Sequence, residues 1–270
     1  MGTVPVKVSE RLSAGIKKFQ PILNTAKSRD VNESDTVIII TDMLSEVFGY
    51  DKYSEITSEF TIRSTYCDLA IKLDSKIAFL LEVKAVGLEL KDNYVKQAVD
   101  YAANQGIDFV VLTNGVLWKV FKITFSKPID QELVFEFDFL NLSQKKLDDI
   151  EKLSLLSKEG WLKSFLYDYH SQKQALSKFF LSALILSDPI TDAIRRELKK
   201  ISPDVKVTSE QIKEVIQLEV LKREVIEGEK ADEAAKKINK VFNRIAKSKL
   251  TKPNANPSLD VVEENNSSIS

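Results

Sequence analysis

The stretch that decides the fold begins Glu59-Phe-Thr-Ile-Arg-Ser-Thr-Tyr-Cys-Asp68-Leu-Ala-Ile-Lys-Leu73. It passes through Asp74-Ser75 and continues Lys76-Ile-Ala-Phe-Leu-Leu-Glu82-Val-Lys84-Ala-Val86. Both long segments are rich in β-branched and aromatic residues and read as strands. The polar Asp74-Ser-Lys76 between them is turn chemistry, so an antiparallel hairpin is expected, with the Asp68 end of one strand near the Glu82 end of the other. Side chains alternate across a strand, which puts Glu82 and Lys84 on one face while Val83 points into apolar packing on the other.

Charges inside an otherwise apolar strand are costly unless they are paired or hold a cation, and Phe79-Leu-Leu81 with Val83 marks this strand as mostly buried. Two carboxylates offer hard oxygen ligands of the kind Mg²⁺ or Mn²⁺ prefers. An ion held there can support hydrolysis of phosphodiesters, with Lys84 orienting the attacking water or adding positive charge beside it. The plainer reading of Glu-x-Lys on a strand is a solvated cross-strand ion pair. Against it stand the preceding apolar run, an upstream Asp at hairpin distance, and a following amphipathic helix with Gln97 and Tyr101 at i and i+4.

Around the hairpin the pattern is α/β. A helix from about residue 33 to 48 buries Val37, Ile40, Met43, Leu44 and Val47 and is ended by Gly49. The expected order is that helix, three strands, a helix over about 90–104, a strand over 107–113, a tight Asn114-Gly115 turn and a strand over 117–123. A further strand is expected over 132–139, in a mixed sheet. Before this core, Val8, Leu12, Ile16, Phe19 and Leu23 recur at helical spacing, and Pro21 is expected to kink or divide their helix.

At this point the chain resembles the PD-(D/E)xK nuclease superfamily, and within it the N-terminal nuclease domain of type I restriction enzyme R subunits. Five stretches carry the resemblance: Asn32-Glu33-Ser-Asp-Thr36, Cys67-Asp68, Glu82-Val-Lys84, Gln97-Ala-Val-Asp-Tyr101-Ala, and the pair Phe109–Gly115 with Leu117–Phe121. The likeness spans roughly residues 30 to 125, with Cys67 standing where the superfamily's name has Pro. It implies a restriction-endonuclease-like αβββαβ core and a metal-dependent nuclease acting on DNA, with Mg²⁺ or Mn²⁺ as cofactor. It implies that Asp68 and Glu82 hold the metal, that Lys84 assists the water, and that Gln97 and Tyr101 belong to the catalytic set. Glu33 is implied as an additional metal acid. Read from the residues alone, Glu33 and Asp35 equally complement the dipole of a helix capped by Asn32, and Gln97 equally lies exposed on a helix packed by Ala98, Tyr101 and Ala102. No Gly-xxxx-Gly-Lys-Ser/Thr loop occurs, so the expectation is a nuclease module without an ATP-driven motor. The alternative is a nuclease-fold module that no longer cuts and instead binds nucleic acid or assembles with a restriction or defence complex.

Four segments are expected: an N-terminal helical extension over 1–30, the nuclease-like domain over 31–142, an all-helical domain over 143–250, and a disordered polar tail over 251–270. The helical part shows a long amphipathic run over 161–186, a break at Asp188-Pro189, a capping box at Thr208-Ser-Glu-Gln211, and helices over 209–226 and 230–249. With 39 Lys and Arg against 40 Asp and Glu, the net charge of −1 excludes a generally basic coat, so DNA contact would fall to local patches. Lys236, Lys237, Lys240, Arg244 and Lys247 form one such nucleic-acid-binding candidate, with a solvated helix end as the alternative. Arg195, Arg196, Lys199 and Lys200 form a second, diluted by Glu197. A single Cys67 excludes an internal disulfide and a single His170 excludes His-based metal clusters, and with only that one imidazole the sequence argues against Ser-His-Asp or Cys-His chemistry. His170 is expected on a helix surface. No run of about 18 apolar residues and no signal pattern is present, so the expected setting is cytoplasmic, with no membrane partner. The expected partners are DNA and either a second copy or restriction and defence subunits.

Overall fold

The computed structural model describes residues 3–62, 65–125 and 128–250, and their side chains apart from those of residues 59–62, 65–66, 92 and 246–250. The tail expected over 251–270 lies outside the described residues. The chain divides into two units, Met1–Ser171 and Gln172–Ser270.

The first unit opens with helices α1 (Val6–Ser28) and α2 (Glu33–Glu46), followed by strands β1 (Ile56–Ile62), β2 (Thr65–Leu73) and β3 (Lys76–Val83). Helix α3 (Lys96–Gln105) leads to β4 (Phe109–Thr113), β5 (Leu117–Thr124) and β6 (Asp130–Asp138). From α2 to β4 this is the expected αβββαβ order. The six strands lie side by side in chain order, antiparallel throughout except for the parallel β3–β4 pair that α3 connects. Asp74 and Ser75 both take positive φ, 49° and 64°, making the two-residue turn whose twist suits a hairpin. Asn32 caps α2 by accepting the Asp35 N–H at 2.9 Å, and Gly49 follows the helix at φ 85°.

Alternation along the strands feeds two cores. Leu69, Ile71, Leu81, Val83, Phe109 and Val111 pack under α1 and α2, together with α4 (Leu147–Ser154), α5 (Lys158–Leu162) and the start of α6 (Phe165–Ala175). On the opposite face Ala70, Leu80, Val110 and Leu112 meet Ala98, Val99 and Ala102 of α3. A sheet apolar on both sides needs helices on both sides.

This requirement redraws the expected domain boundaries. Residues 1–30 are no extension, because α1 buries Leu12, Ile16, Phe19 and Leu23 in the larger core, and Gly15 gives Val47 room for close approach. Residues 143–171 belong here too, through Ile150, Leu153, Leu155 and Leu156, so the division falls after Ser171. Arg11 ties the layer together. Its Nε donates to Val47 O at 3.0 Å and its Nη1 to Glu159 Oε1 at 2.8 Å.

Other expectations shift locally. The single strand read over 59–73 is β2 and part of β1, two antiparallel strands. Helix α1 runs through Pro21 unbroken, its apolar stripe holding it to the core on both sides of the missing N–H. The long run over 161–186 is divided where Ser164 takes φ 59° and where Ser177 caps α7 (Lys178–Ile185). His170 is buried, its Nε2 3.2 Å from Glu132 Oε2, because its helix packs that side inward.

The second unit continues with α8 (Asp188–Ile201), which Pro189 helps to start, then α9 (Ser209–Val215), α10 (Arg223–Ile226) and α11 (Glu229–Leu250). The Thr208–Gln211 capping box is present, while a π turn over Ile216–Val220 interrupts the helix expected over 209–226. Ala231, Ala234 and Ile238 are the buried side of α11. No described helix is long and apolar enough to cross a membrane.

If α1 is core rather than extension, Leu12→Ala should lower the unfolding free energy by about 2–5 kcal/mol in a urea titration. A loss under about 1 kcal/mol would place α1 outside the core.

Candidate functional site

In the β2–β3 ladder Leu69 faces Leu81 and Ala70 faces Leu80, so the next step along both strands sets Asp68 against Glu82. Both belong to the face that carries Ala70 and Leu80, the face covered by α3. Asp68 Oδ2 accepts the Val83 N–H at 2.6 Å, fastening one carboxylate to the strand that bears the other. One residue past the end of β3, the Lys84 N–H donates to Thr113 O at 2.9 Å and extends the pairing with β4. The Lys84 ammonium is then 2.8 Å from Glu82 Oε1 and 3.5 Å from Glu33 Oε2, at the first turn of α2. Side-chain exposure is 13% for Glu82, 16% for Lys84 and 47% for Glu33.

Glu82 and Lys84 open onto a groove of about 900 Å³ whose other residues come from α3 and the turn before it. Gln97 and Tyr101 both line it, so the structure brings these two sequence candidates to the groove beside Glu82 and Lys84. Ala98 and Ala102 pack on the sheet, and the exposed Gln97 faces the groove. Asn93, Tyr94, Asp100 and Asn104 line the groove as well and escaped sequence reasoning. Helical spacing from Gln97 was the signal that could have found Asn93, Asp100 and Asn104.

Burial dominates the electrostatics. It pushes the Asp68 carboxyl above its ordinary value, against the Val83 N–H and Lys84, which pull it down. Burial likewise raises Glu82, helped by the charges of Asp68 and Glu33 and opposed by Lys84. At Lys84 burial pulls downward, but the hydrogen bond and charge of Glu82, with Glu33 and Asp68 behind it, lift the ammonium above its usual value. Glu82 and Lys84 thus shift the same way for different reasons: the carboxylate is short of compensation, and the ammonium has several anions. Cys67 is pushed up to about 12 by burial and by Glu82 and Asp68, so the neighbouring thiol stays protonated.

The pair able to hold a cation is therefore Asp68 with Glu82, two mostly buried carboxylates whose charge the protein only partly offsets. Among the described residues no group of three or more His, Cys, Asp or Glu side chains is placed to hold one ion, and Glu33 meets the pair through Lys84. The basic candidates Lys236, Lys237, Lys240 and Arg244 are exposed on α11 of the second unit, while the Lys247 side chain lies outside the described residues. In α8, Arg195 is 3.7 Å from Asp192 and Lys200 2.7 Å from Glu197.

Residues 39–134 match the family of the type I restriction enzyme R protein N terminus. The matched segment runs from within α2 into β6 and includes Asp68, Glu82, Lys84, Gln97 and Tyr101, while Glu33 and α1 lie outside it. No curated protein and no solved structure matches the chain.

A carboxyl held above its ordinary value stabilises the fold while protonated and loses that contribution as pH rises through the raised value. Asp68→Asn should therefore melt above the wild type at pH 7.5, by roughly 2–4 °C, with the gap closing toward pH 4. An equal gap at both pH values would remove the burial penalty from Asp68.

Proposed function

We propose that the first unit is a Mg²⁺- or Mn²⁺-dependent nuclease module of the restriction type that hydrolyses DNA phosphodiester bonds. The observation that carries this reading is the convergence of Asp68, Glu82 and Lys84 beside a groove that Gln97 and Tyr101 also line, all within the matched segment.

The donor set fits a hard divalent cation. Two carboxylates on facing strand positions, both penalised by burial, gain from a charge that offsets them, and such ions fill their remaining positions with water and phosphate oxygens. The bound ion supplies charge stabilisation at the phosphate and an activated water. Asp68 and Glu82 fix where it binds, on paired strands that give little. Lys84, an ammonium with three donors and no acceptor, serves by donating: it orients the water or neutralises charge on the phosphate oxygens. From the α3 wall the exposed Gln97 can bond to substrate oxygens, and Tyr101, its phenol pushed above its ordinary value by burial, lines the groove one turn on. The exposed cations of α11 are proposed as phosphate contacts that position the DNA.

The deciding experiment is cleavage of supercoiled plasmid and of labelled single strands with Mg²⁺, Mn²⁺ or EDTA. Wild type should cut only with metal, and Asp68→Ala and Lys84→Ala should each lower the rate by about 10²-fold or more. Metal-dependent cutting that survives both substitutions would move the chemistry elsewhere. Binding without cutting by the wild type would leave a nucleic-acid-binding module.

A further inference from the structure

Lys84 lies between two carboxylates from different elements: Glu82 on β3 at 2.8 Å and Glu33 on α2 at 3.5 Å. The nearer is largely buried and belongs to the cation-holding pair, whereas the farther is half exposed and stands outside the matched segment. The placement of Glu33 is built into the fold. Thr36, one turn on and fully buried, accepts the Val86 N–H with its Oγ1 at 3.2 Å, which ties the first turn of α2 to the chain just past Lys84. The same hydroxyl donates to Asn32 O at 2.7 Å, and Asn32 caps the helix.

We propose that Glu33 is a positioning residue, a second seat that receives the Lys84 ammonium when Glu82 turns its oxygens to a bound cation. The inference rests on the nuclease reading above. In the structure as it stands, Lys84 occupies Glu82 Oε1, so a cation that ligates this oxygen competes with Lys84 for it. An ammonium released without a receiver would be left partly buried and beside a like charge. Glu33 is already within ion-pair distance, on a helix whose first turn is fixed, and takes the ammonium without any shift of backbone. Glu33 therefore acts on cation binding through Lys84 and not as a ligand, in keeping with the absence of a three-acid cluster among the described residues.

The test is calorimetric titration of Mn²⁺ into the full chain without substrate, for wild type, Glu33→Gln, Lys84→Met and the double variant, with thermal melts to confirm folding. Glu33→Gln should weaken Mn²⁺ roughly two- to fivefold, the scale of a half-exposed ion pair, because Lys84 then stays on Glu82. In the Lys84→Met background the same substitution should change affinity less than about twofold, the pairwise dependence that a double-mutant cycle isolates. Equal weakening in both backgrounds would make Glu33 a ligand and overturn the inference, as would no effect in either. Failure of the wild type to bind Mn²⁺ at all would instead overturn the nuclease reading beneath it.

Discussion

Placement of Asp68 against Glu82 depends on the register of one hairpin. The ladder from Leu69–Leu81 to Ile71–Phe79 is in step, and an irregularity between Ile71 and Lys72 adjusts the remainder to the Asp74-Ser75 turn. Because side chains alternate, a slip of one residue on β3 would carry Glu82 and Lys84 into the core where Leu81 and Val83 pack and would leave those two facing α3. Both sheet faces are apolar, so the penalty for such a slip falls on charged groups with nowhere to go. Hydrophobic packing along the strands thereby fixes Asp68 within β2 and Glu82 near the end of β3, where Glu82 meets the groove.

The same sheet explains why the unit needs helices from both sides of the core segment. One face is closed by α3 with Leu90 and Val95 before it and Ile107 after it, through small residues that let the helix lie close: Ala98, Ala102 and the partly buried Ala103. The other carries large groups, among them Phe79, Phe109 and Trp118, and takes α1, α2 and α4 to α6 to cover. Trp118 stacks on Phe137 at 5.9 Å and meets Phe48 at a tilt at 5.3 Å, and Tyr50 donates its hydroxyl to Leu156 O at 2.9 Å. Segments far apart in sequence are thus one folding unit, and the position of Glu33 beside Lys84 follows from how α2 is wedged in that layer.

Much of this was legible in the residues. The apolar run in 76–83, the turn chemistry of Asp74-Ser75, the Asn32 cap and the periodicity of 96–105 are local signals, and each has a local cause. The hidden features depend on partners distant in the chain. An amphipathic helix announces an apolar face but not what it covers, so α1 read as an extension although Leu12 and Leu23 are fully buried. His170 looked like a surface residue until Glu132 came beside it, and nothing near Arg11 in sequence points to Glu159. At the site, the carboxylates and lysine were readable because charge in an apolar strand is conspicuous. The Val83 N–H that holds Asp68, and the second anion beside Lys84, become visible only with the register and the packing of α2 in place.

The chemistry of the groove bears on how a polyanion would be held there. Lys84 and Lys96 line it together with Glu82 and Asp100, so its own charges nearly cancel. The chain as a whole is close to neutral as well. Long-range attraction is therefore weak, and contact within the groove falls to short hydrogen bonds from Asn93, Gln97, Asn104 and Gln105. Neutral carboxamides release no counterions, so they position a phosphate without the steep salt dependence that a row of lysines brings. Under the proposed function, affinity for DNA would come chiefly from elsewhere on the protein, such as the cations of α11. The groove would then act on a strand already delivered to it, and the bound cation, rather than any protein side chain, would be the main positive charge the scissile phosphate meets.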